Sequence, residues 1–318
     1  MEKILVIGAC GQLGSELTLA LVELYGAEHI IATDISQPLP LFDKLYFESL
    51  DVLDQNRLDK LIDDHHVTQI YHLAAVLSAT GEARPRWAWQ LNMDGLLNVL
   101  EVARLKSIQK VFWPSSIAAF GPNTPKANTP QNSVMDPSTV YGISKLSGEL
   151  WCKYYYDKFQ LDVRSLRYPG LISYKTAPGG GTTDYAIDIF HKAIAAVPFE
   201  CFLEPDTRLP MMYMPDAVRA TIELMQAPSI NILERTSYNL SALNFSPKEL
   251  ANAVSEQVPG FEIIYKPDYR QQIAASWPQS IDDQVARDQW GWQPEFDLTT
   301  MTSDMLENLK ELSSSSPR

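Results

Sequence analysis

Three glycines near the N-terminus constrain this chain more than any other feature. Residues 3–7 form a short apolar run, and Gly8, Gly11 and Gly14 follow it in the segment Gly-Ala-Cys-Gly-Gln-Leu-Gly. Glycine permits a tight turn out of a strand, lets a pyrophosphate approach the backbone and allows the next helix to pack closely on the strand. A helix beginning there offers free N–H groups and the positive end of its dipole to phosphates. Leu13, Leu17, Ala20, Leu21 and Leu24 recur behind the glycines at near-helical spacing, so a helix is expected.

The alternation continues along the first half. Residues 30–33, 45–49, 69–74, 110–115 and 162–168 read as further strands, and residues 55–63, 88–105 and about 137–159 as helices. Strands alternating with helices give an α/β fold with a Rossmann-type, doubly wound parallel sheet covered on both faces. After Pro169 the pattern loosens. Helices are expected over 184–196, 215–225 and 247–254, with short strands at 238–240 and 262–265. The expected division is a nucleotide-binding domain over 1–170 and a smaller substrate-binding lobe over 171–312. That lobe's chain is expected to cross back to the sheet, and a Ser-rich, frayed tail to follow over 313–318. The length of 318 residues supports this, exceeding the ~250–300 that one core usually serves.

Charge and cysteine content narrow the function. Lys and Arg total 26 against 39 Asp and Glu, a net charge of −13. Such an excess argues against a nucleic-acid partner, whose phosphates need Lys and Arg. No apolar run approaches the ~18–20 residues of a membrane span, and residues 4–7 are too short for a signal-peptide apolar region, so none is expected. Cys10, Cys152 and Cys201 are three and widely spaced, so neither a disulfide framework nor a metal site is indicated. A reducing cytoplasm is the expected setting.

Asp34 ends the second strand, 20 residues after Gly14, where an acid can bond the adenosine ribose hydroxyls. A carboxylate there repels a 2′-phosphate, and no Lys or Arg follows before Lys44, so NAD is favoured over NADP. Asp51 and Val52 close the third strand and could hold the adenine edge. Leu73, Ala74 and Ala75 close the fourth and are small enough for a cofactor to lie against backbone.

Tyr141 and Lys145 stand four residues apart and share a helix face. A tyrosine acting as base near pH 7 needs its pKa lowered by ~3 units, and a neighbouring ammonium favours phenolate. Tyr154 and Lys158 repeat the spacing, but 13 residues rotate them by ~220° and move them ~20 Å along the axis. The first copy is singled out by Ser115 and Ser116, which end the fifth strand at the edge where parallel sheets bind ligands.

With Gly8, Gly11, Gly14, Asp34, Ser116, Tyr141 and Lys145 in order, the chain resembles the extended short-chain dehydrogenase/reductase superfamily over about residues 1–310. Asn92 and the run Arg167-Tyr168-Pro169-Gly170 also match its pattern. Within it, three segments resemble the epimerase-like L-threonine dehydrogenases: residues 114–122, 166–171 and the run Pro-Gly-Gly-Gly-Thr-Thr-Asp-Tyr-Ala-Ile at 178–187. The resemblance implies catalysis by Ser116, Tyr141 and Lys145. It implies cofactor contacts from Gln12, Leu13, Asn92, Ser115, Tyr168 and Leu171 besides the residues above. It implies substrate contacts from Ser78, Ser116, Tyr141, Gly180, Thr182, Thr183 and Trp277.

Physically, Thr182 and Thr183 lie where a loop meets a helix N-terminus, which can receive a carboxylate. Trp277 could lid the pocket or sit in the core. The activity implied is oxidation of L-threonine at C3 with NAD. The alternatives are a sugar-nucleotide 4-epimerase or dehydratase, which returns its hydride, and an NAD-binding redox sensor. Residues 94–105 and 141–159 carry apolar positions on more than one face. They could pack within the monomer, or form the four-helix seam of the homodimer that the resemblance implies.

Overall fold

The computed structural model describes residues 2–176, 179 and 181–315. Its first part alternates as expected: β1 (Ile4–Ile7), α1 (Gln12–Tyr25), β2 (Ile30–Asp34), β3 (Tyr46–Ser49), α2 (Gln55–His65), β4 (Gln69–His72), α3 (Ser78–Ala83), α4 (Pro85–Leu105), β5 (Lys110–Ser116), α5 (Val140–Phe159) and β6 (Val163–Tyr168). The remainder is β7 (Gly170–Ile172), α6 (Tyr185–Ile194), β8 (Phe199–Cys201), β9 (Leu209–Tyr213), α7 (Met214–Gln226), β10 (Tyr238–Asn239), β11 (Leu243–Phe245), α8 (Pro247–Gln257), β12 (Ile263–Tyr265), α9 (Tyr269–Ser276), α10 (Gln284–Trp290) and α11 (Leu298–Ser315).

Seven strands form one parallel sheet in the order β10-β6-β5-β4-β1-β2-β3. Its central strands are buried on both faces, as in β1, where all four residues are inaccessible. Ile4 and Val6 join one core with Leu17, Leu21 and Ala217, from α1 and α7. Leu5 and Ile7 join another with Leu58, Leu96 and Cys152, from α2, α4 and α5. A third core fills the C-terminal lobe around Phe190, Tyr213, Leu250 and Met305. Two small sheets, β11-β9-β7 and β12-β8, belong to that part of the chain.

The differences from expectation have local causes. β4 stops at His72, and the chain turns away through residues 73–75 although Leu73 still donates to Ile7 O at 2.8 Å. α3 precedes α4 as a separate short helix, with Pro85 starting the next. The helix α11 buries a stripe of Met301, Met305, Leu306 and Leu309 and runs on through Ser315 instead of fraying from 313, with Ser313 and Ser314 donating back to Leu309 O and Glu311 O at 2.7 and 2.8 Å. Residues 316–318 of the expected tail lie outside the described residues. β10 returns beside β6, so the large sheet draws on the chain well beyond residue 170.

Candidate active site

The parallel order places the C-terminal ends of β1, β4 and β5 at one edge, next to the start of α1. Gly8 adopts φ +87°, and a Cβ there would lie 2.6 Å from Ala74 N. A Cβ on Gly14 would lie 2.1 Å from Gly8 O. The glycines thus let strand end, loop and helix interlock. Gly11 is the N-cap residue of α1 and offers no side chain to its free N–H groups. Asp34 is fixed beside this loop: one carboxylate oxygen accepts from Cys10 N at 3.0 Å and the other from Ser36 N at 2.9 Å.

A cavity of about 270 Å³ opens at this edge. Gly8, Gly11, Gln12, Leu13 and Gly14 line it, with Leu73, Ala75 and Ser78 after β4. Ser115, Ser116, Tyr141 and Lys145 line it too, as do Tyr168, Leu171, Thr182, Thr183 and Trp277. Asp34, Asp51, Val52, Ala74 and Asn92 do not belong to this lining. Asp51 accepts from Leu53 N at 2.9 Å in a turn, and Val52 is buried against Gly95 of α4. Asn92 accepts from Val76 N at 2.8 Å and donates to Val76 O and Ser144 Oγ, each at 3.2 Å, so its amide fastens the chain after β4 to α5. Gly180 lies outside the described residues.

Thr139 caps α5, accepting from Gly142 N at 3.0 Å, which starts the helix so that Tyr141 and Lys145 face the end of β5. Lys145 Nζ donates to Pro114 O at 2.6 Å and lies 4.5 Å from the Trp113 ring and 5.4 Å from the Tyr141 ring. Burial pushes Lys145 down to about 7. Burial also pushes Tyr141 up to about 12, with a hydrogen bond to Ser116 pulling the other way. The expected lowering by Lys145 does not contribute: burial outweighs the Ser116 hydrogen bond alone. The two serines differ sharply. Ser115 Oγ donates to Glu149 Oε1 at 2.5 Å, whereas Ser116 Oγ accepts from Ala118 N at 3.2 Å and turns its proton to the cavity, where Tyr141 stands. Tyr168 presents its ring only, because its hydroxyl is bonded to Thr221.

Thr182 Oγ1 is buried with no hydrogen-bond partner among the described residues. The neighbouring loop N–H groups are not free: Asp184 accepts from Gly179 N at 2.6 Å and Gly181 N at 2.8 Å. Trp277 proves to be both things at once, a member of the lobe's core and part of the cavity wall. Sequence reasoning missed Glu149, Asp184 and His72. Glu149 stands four residues after Lys145, which was a usable signal. His72 is fully buried with both ring nitrogens unpartnered, and burial lowers it to about 3, with Lys145 adding to the shift. Among the described residues, no group of three or more His, Cys, Asp or Glu could hold a metal ion, and no helix is long and apolar enough to cross a membrane.

Residues 4–240 match the NAD dependent epimerase/dehydratase family. The chain belongs to that family. It is similar to a GalE-like L-threonine dehydrogenase from Cupriavidus necator in its holo form, at 58% identity and a TM-score of 0.95, covering 96% of this chain and 99% of that one. It is similar to a monomeric L-threonine 3-dehydrogenase from a metagenome in its apo form, at 48% identity and TM-score 0.94, covering 97% and 99%. It is also similar to an uncharacterized epimerase/dehydratase of Staphylococcus saprophyticus, at 47% identity over 98% of each chain. This family member is an NAD-dependent oxidoreductase, and the site fits that cofactor: a side-chain-free cradle at the start of α1, and a carboxylate at the end of β2 that disfavours a 2′-phosphate.

Proposed function

We propose that this family member oxidises L-threonine at C3 to 2-amino-3-oxobutyrate. The observation that carries the reading is one cavity holding both a Ser116–Tyr141–Lys145 cluster and the Thr182–Thr183–Trp277 wall, in a chain similar over its length to L-threonine dehydrogenases. NAD, when bound, supplies the hydride acceptor and a positive ring charge. Tyr141 takes the proton of the C3 hydroxyl, and Ser116 donates a hydrogen bond to the same oxygen. Lys145 holds the phenolate by its charge and the cofactor ribose by hydrogen bonding. The substrate leaves with a 3-oxo group, having lost one hydride and one proton. The unpartnered Thr182 hydroxyl suits the substrate carboxylate, and Ser78, Thr183 and Trp277 line the same cavity.

For the cofactor, Gly8–Gly14 would hold the pyrophosphate, Asp34 the ribose, and Ser115, Tyr168 and Leu171 the nicotinamide side. The working division is a nucleotide domain of residues 1–170 and a substrate lobe beyond it, in a cytoplasmic enzyme.

The test is net NADH formation with L-threonine, its stereoisomers and L-serine. Stoichiometric NADH with L-threonine is expected, whereas a sugar-nucleotide epimerase makes none and would show no net absorbance change.

The reading extends to a homodimer. Ile143, Leu150, Trp151 and Tyr154 leave an apolar surface exposed on α5, next to Leu105 of α4, and a second copy of the chain would cover it in a four-helix seam. Sedimentation at micromolar concentration reads this directly, a monomer refuting it.

A further inference from the structure

Glu149 lies one turn beyond Lys145, so α5 stacks Tyr141, Lys145 and Glu149 along one line. A carboxylate buried to 1% exposure is costly unless its lone pairs are filled. Here they are. Arg167 donates from Nε to Oε1 at 2.9 Å and from Nη2 to Oε2 at 2.7 Å, and Ser115 Oγ donates to Oε1 at 2.5 Å. Arg167, itself buried, donates further to Gln131 O and Asn239 Oδ1, both at 3.0 Å. One carboxylate therefore joins the end of β5, β6 and β10 to the helix that carries Tyr141 and Lys145.

The charges around Lys145 give this clamp a second consequence. Tyr141, Glu149 and Cys152 face it from α5, His72 from the end of β4, and Arg167 stands behind Glu149 on β6. Burial drives Lys145 towards the neutral amine, and Cys152 and Glu149 oppose this. The Cys152 thiol is itself pushed far up by burial, so it stays uncharged at working pH. His72 stays neutral as well. Glu149, ion-paired with Arg167, is left as the group on α5 that supports the ammonium.

We propose that Glu149 is a positioning residue for the reaction: gripped by Arg167 and Ser115, it supports the ammonium form of Lys145 against burial and fixes the Ser115–Ser116 turn against α5. This rests on the roles given to Tyr141 and Lys145 above. Three proteins test it: wild type, Glu149→Gln, and Glu149→Gln combined with Arg167→Gln. The first readout needs neither cofactor nor substrate. It is the pH dependence of Lys145 acetylation by acetic anhydride, followed by peptide mass spectrometry on the cofactor-free protein. Glu149→Gln should lower the midpoint by about one pH unit.

The second readout is kcat and KM in the NADH assay, where kcat should fall about tenfold while the KM for L-threonine stays within twofold. The double variant removes the stranded guanidinium, so its melting temperature should recover while most of the acetylation shift persists. An unchanged midpoint in Glu149→Gln overturns the proposal. So does a double variant in which midpoint and kcat both return to wild type, since the pair would then be merely structural. A wild-type protein that forms no NADH with threonine would refute the functional reading, and the acetylation midpoints would still judge Glu149.

Discussion

Helix α5 carries the spacing Tyr-x-x-x-Lys twice, at 141/145 and at 154/158, and the two copies have opposite surroundings. Lys145 is 3% exposed, bonded to Pro114 O and stacked near Trp113, while Tyr141 lines the cavity. Tyr154 is 48% exposed, and its ring meets Trp151, Tyr155 and Phe159 instead of a strand end. Lys158 is exposed as well. The first part of the helix departs from an ordinary amphipathic one. Its line Tyr141–Lys145–Glu149 points inward, and Ile143, Leu150 and Tyr154 point outward. Spacing on a helix therefore does not make a site. The end of a parallel strand, delivering Ser116 and a backbone carbonyl, does.

The sharpest way to break this contrast is to remove the two phenols separately. Tyr141→Phe should lower kcat for threonine oxidation by about 10³-fold or more, since general-base catalysis is worth about 10²–10⁴. NAD binding, measured by quenching of tryptophan fluorescence, should stay within a few fold. Tyr154→Phe should leave kcat within twofold. Near-normal turnover in Tyr141→Phe would sink the assignment.

The lysines should separate nearly as widely. Lys145→Met is expected to cost about 10²-fold in kcat through the lost charge beside Tyr141, and Lys158→Met nothing measurable. Stability offers an independent check with a definite sign. Lys145 has a folded value of about 7, below the ~10.4 of an unfolded lysine. Between those values the unfolded chain binds a proton that the folded one does not. Stability of the cofactor-free protein should therefore rise as pH goes from about 7 to 10, by at most about 1.4 kcal/mol per pH unit from this group. Melting curves should show that gain in wild type and lose it in Lys145→Met, while Lys158→Met keeps it.

These contrasts also show what the sequence could and could not convey. The strands and helices up to β6, α3 apart, were legible because glycines, strand-end acids and apolar periodicity coincide there. The lobe was harder. β7, β8 and β11 have three residues each, too few to show a period, and β9 is buried throughout and interrupted by Pro210, so it has no alternation to read. α11 was readable from Met301, Met305, Leu306 and Leu309, but the serines after residue 312 masked it. Ser116, Tyr141 and Lys145, which stood out by their order, come together in one cavity. The clamp on Glu149 was not legible, because its partner Arg167 arrives from another strand. Asn92 had the right type and place, yet its amide is consumed by Val76 and Ser144.

The two serines at the end of β5 sharpen the comparison at a smaller scale. Ser116→Ala removes the hydroxyl that faces Tyr141 and the cavity, so kcat should drop about 10–100-fold at little cost in stability. Ser115→Ala removes a donor from the buried Glu149 carboxylate, which should cost about 1–2 kcal/mol of stability and only a few fold in kcat. Urea unfolding together with NADH kinetics distinguishes the two patterns, and equal effects from both variants would mean that the division of labour is wrong.

The smallest effect on catalysis should come from the outward face. Leu150 is 58% exposed on α5, directly beside Glu149 in sequence but on the other side of the helix. Leu150→Glu places a charge where the inward face could not accept an unpaired one, yet folding should survive because the new carboxylate stays in water in the free chain. If a second copy covers this face, two such charges would meet in an apolar seam, and the dimer should weaken by at least tenfold in dissociation constant. Sedimentation velocity against concentration measures this, with kcat per chain expected to remain within about twofold. An unchanged sedimentation profile in a dimeric wild type would move the seam elsewhere. A large loss of kcat with the dimer intact would mean that the two faces of α5 are not separable after all.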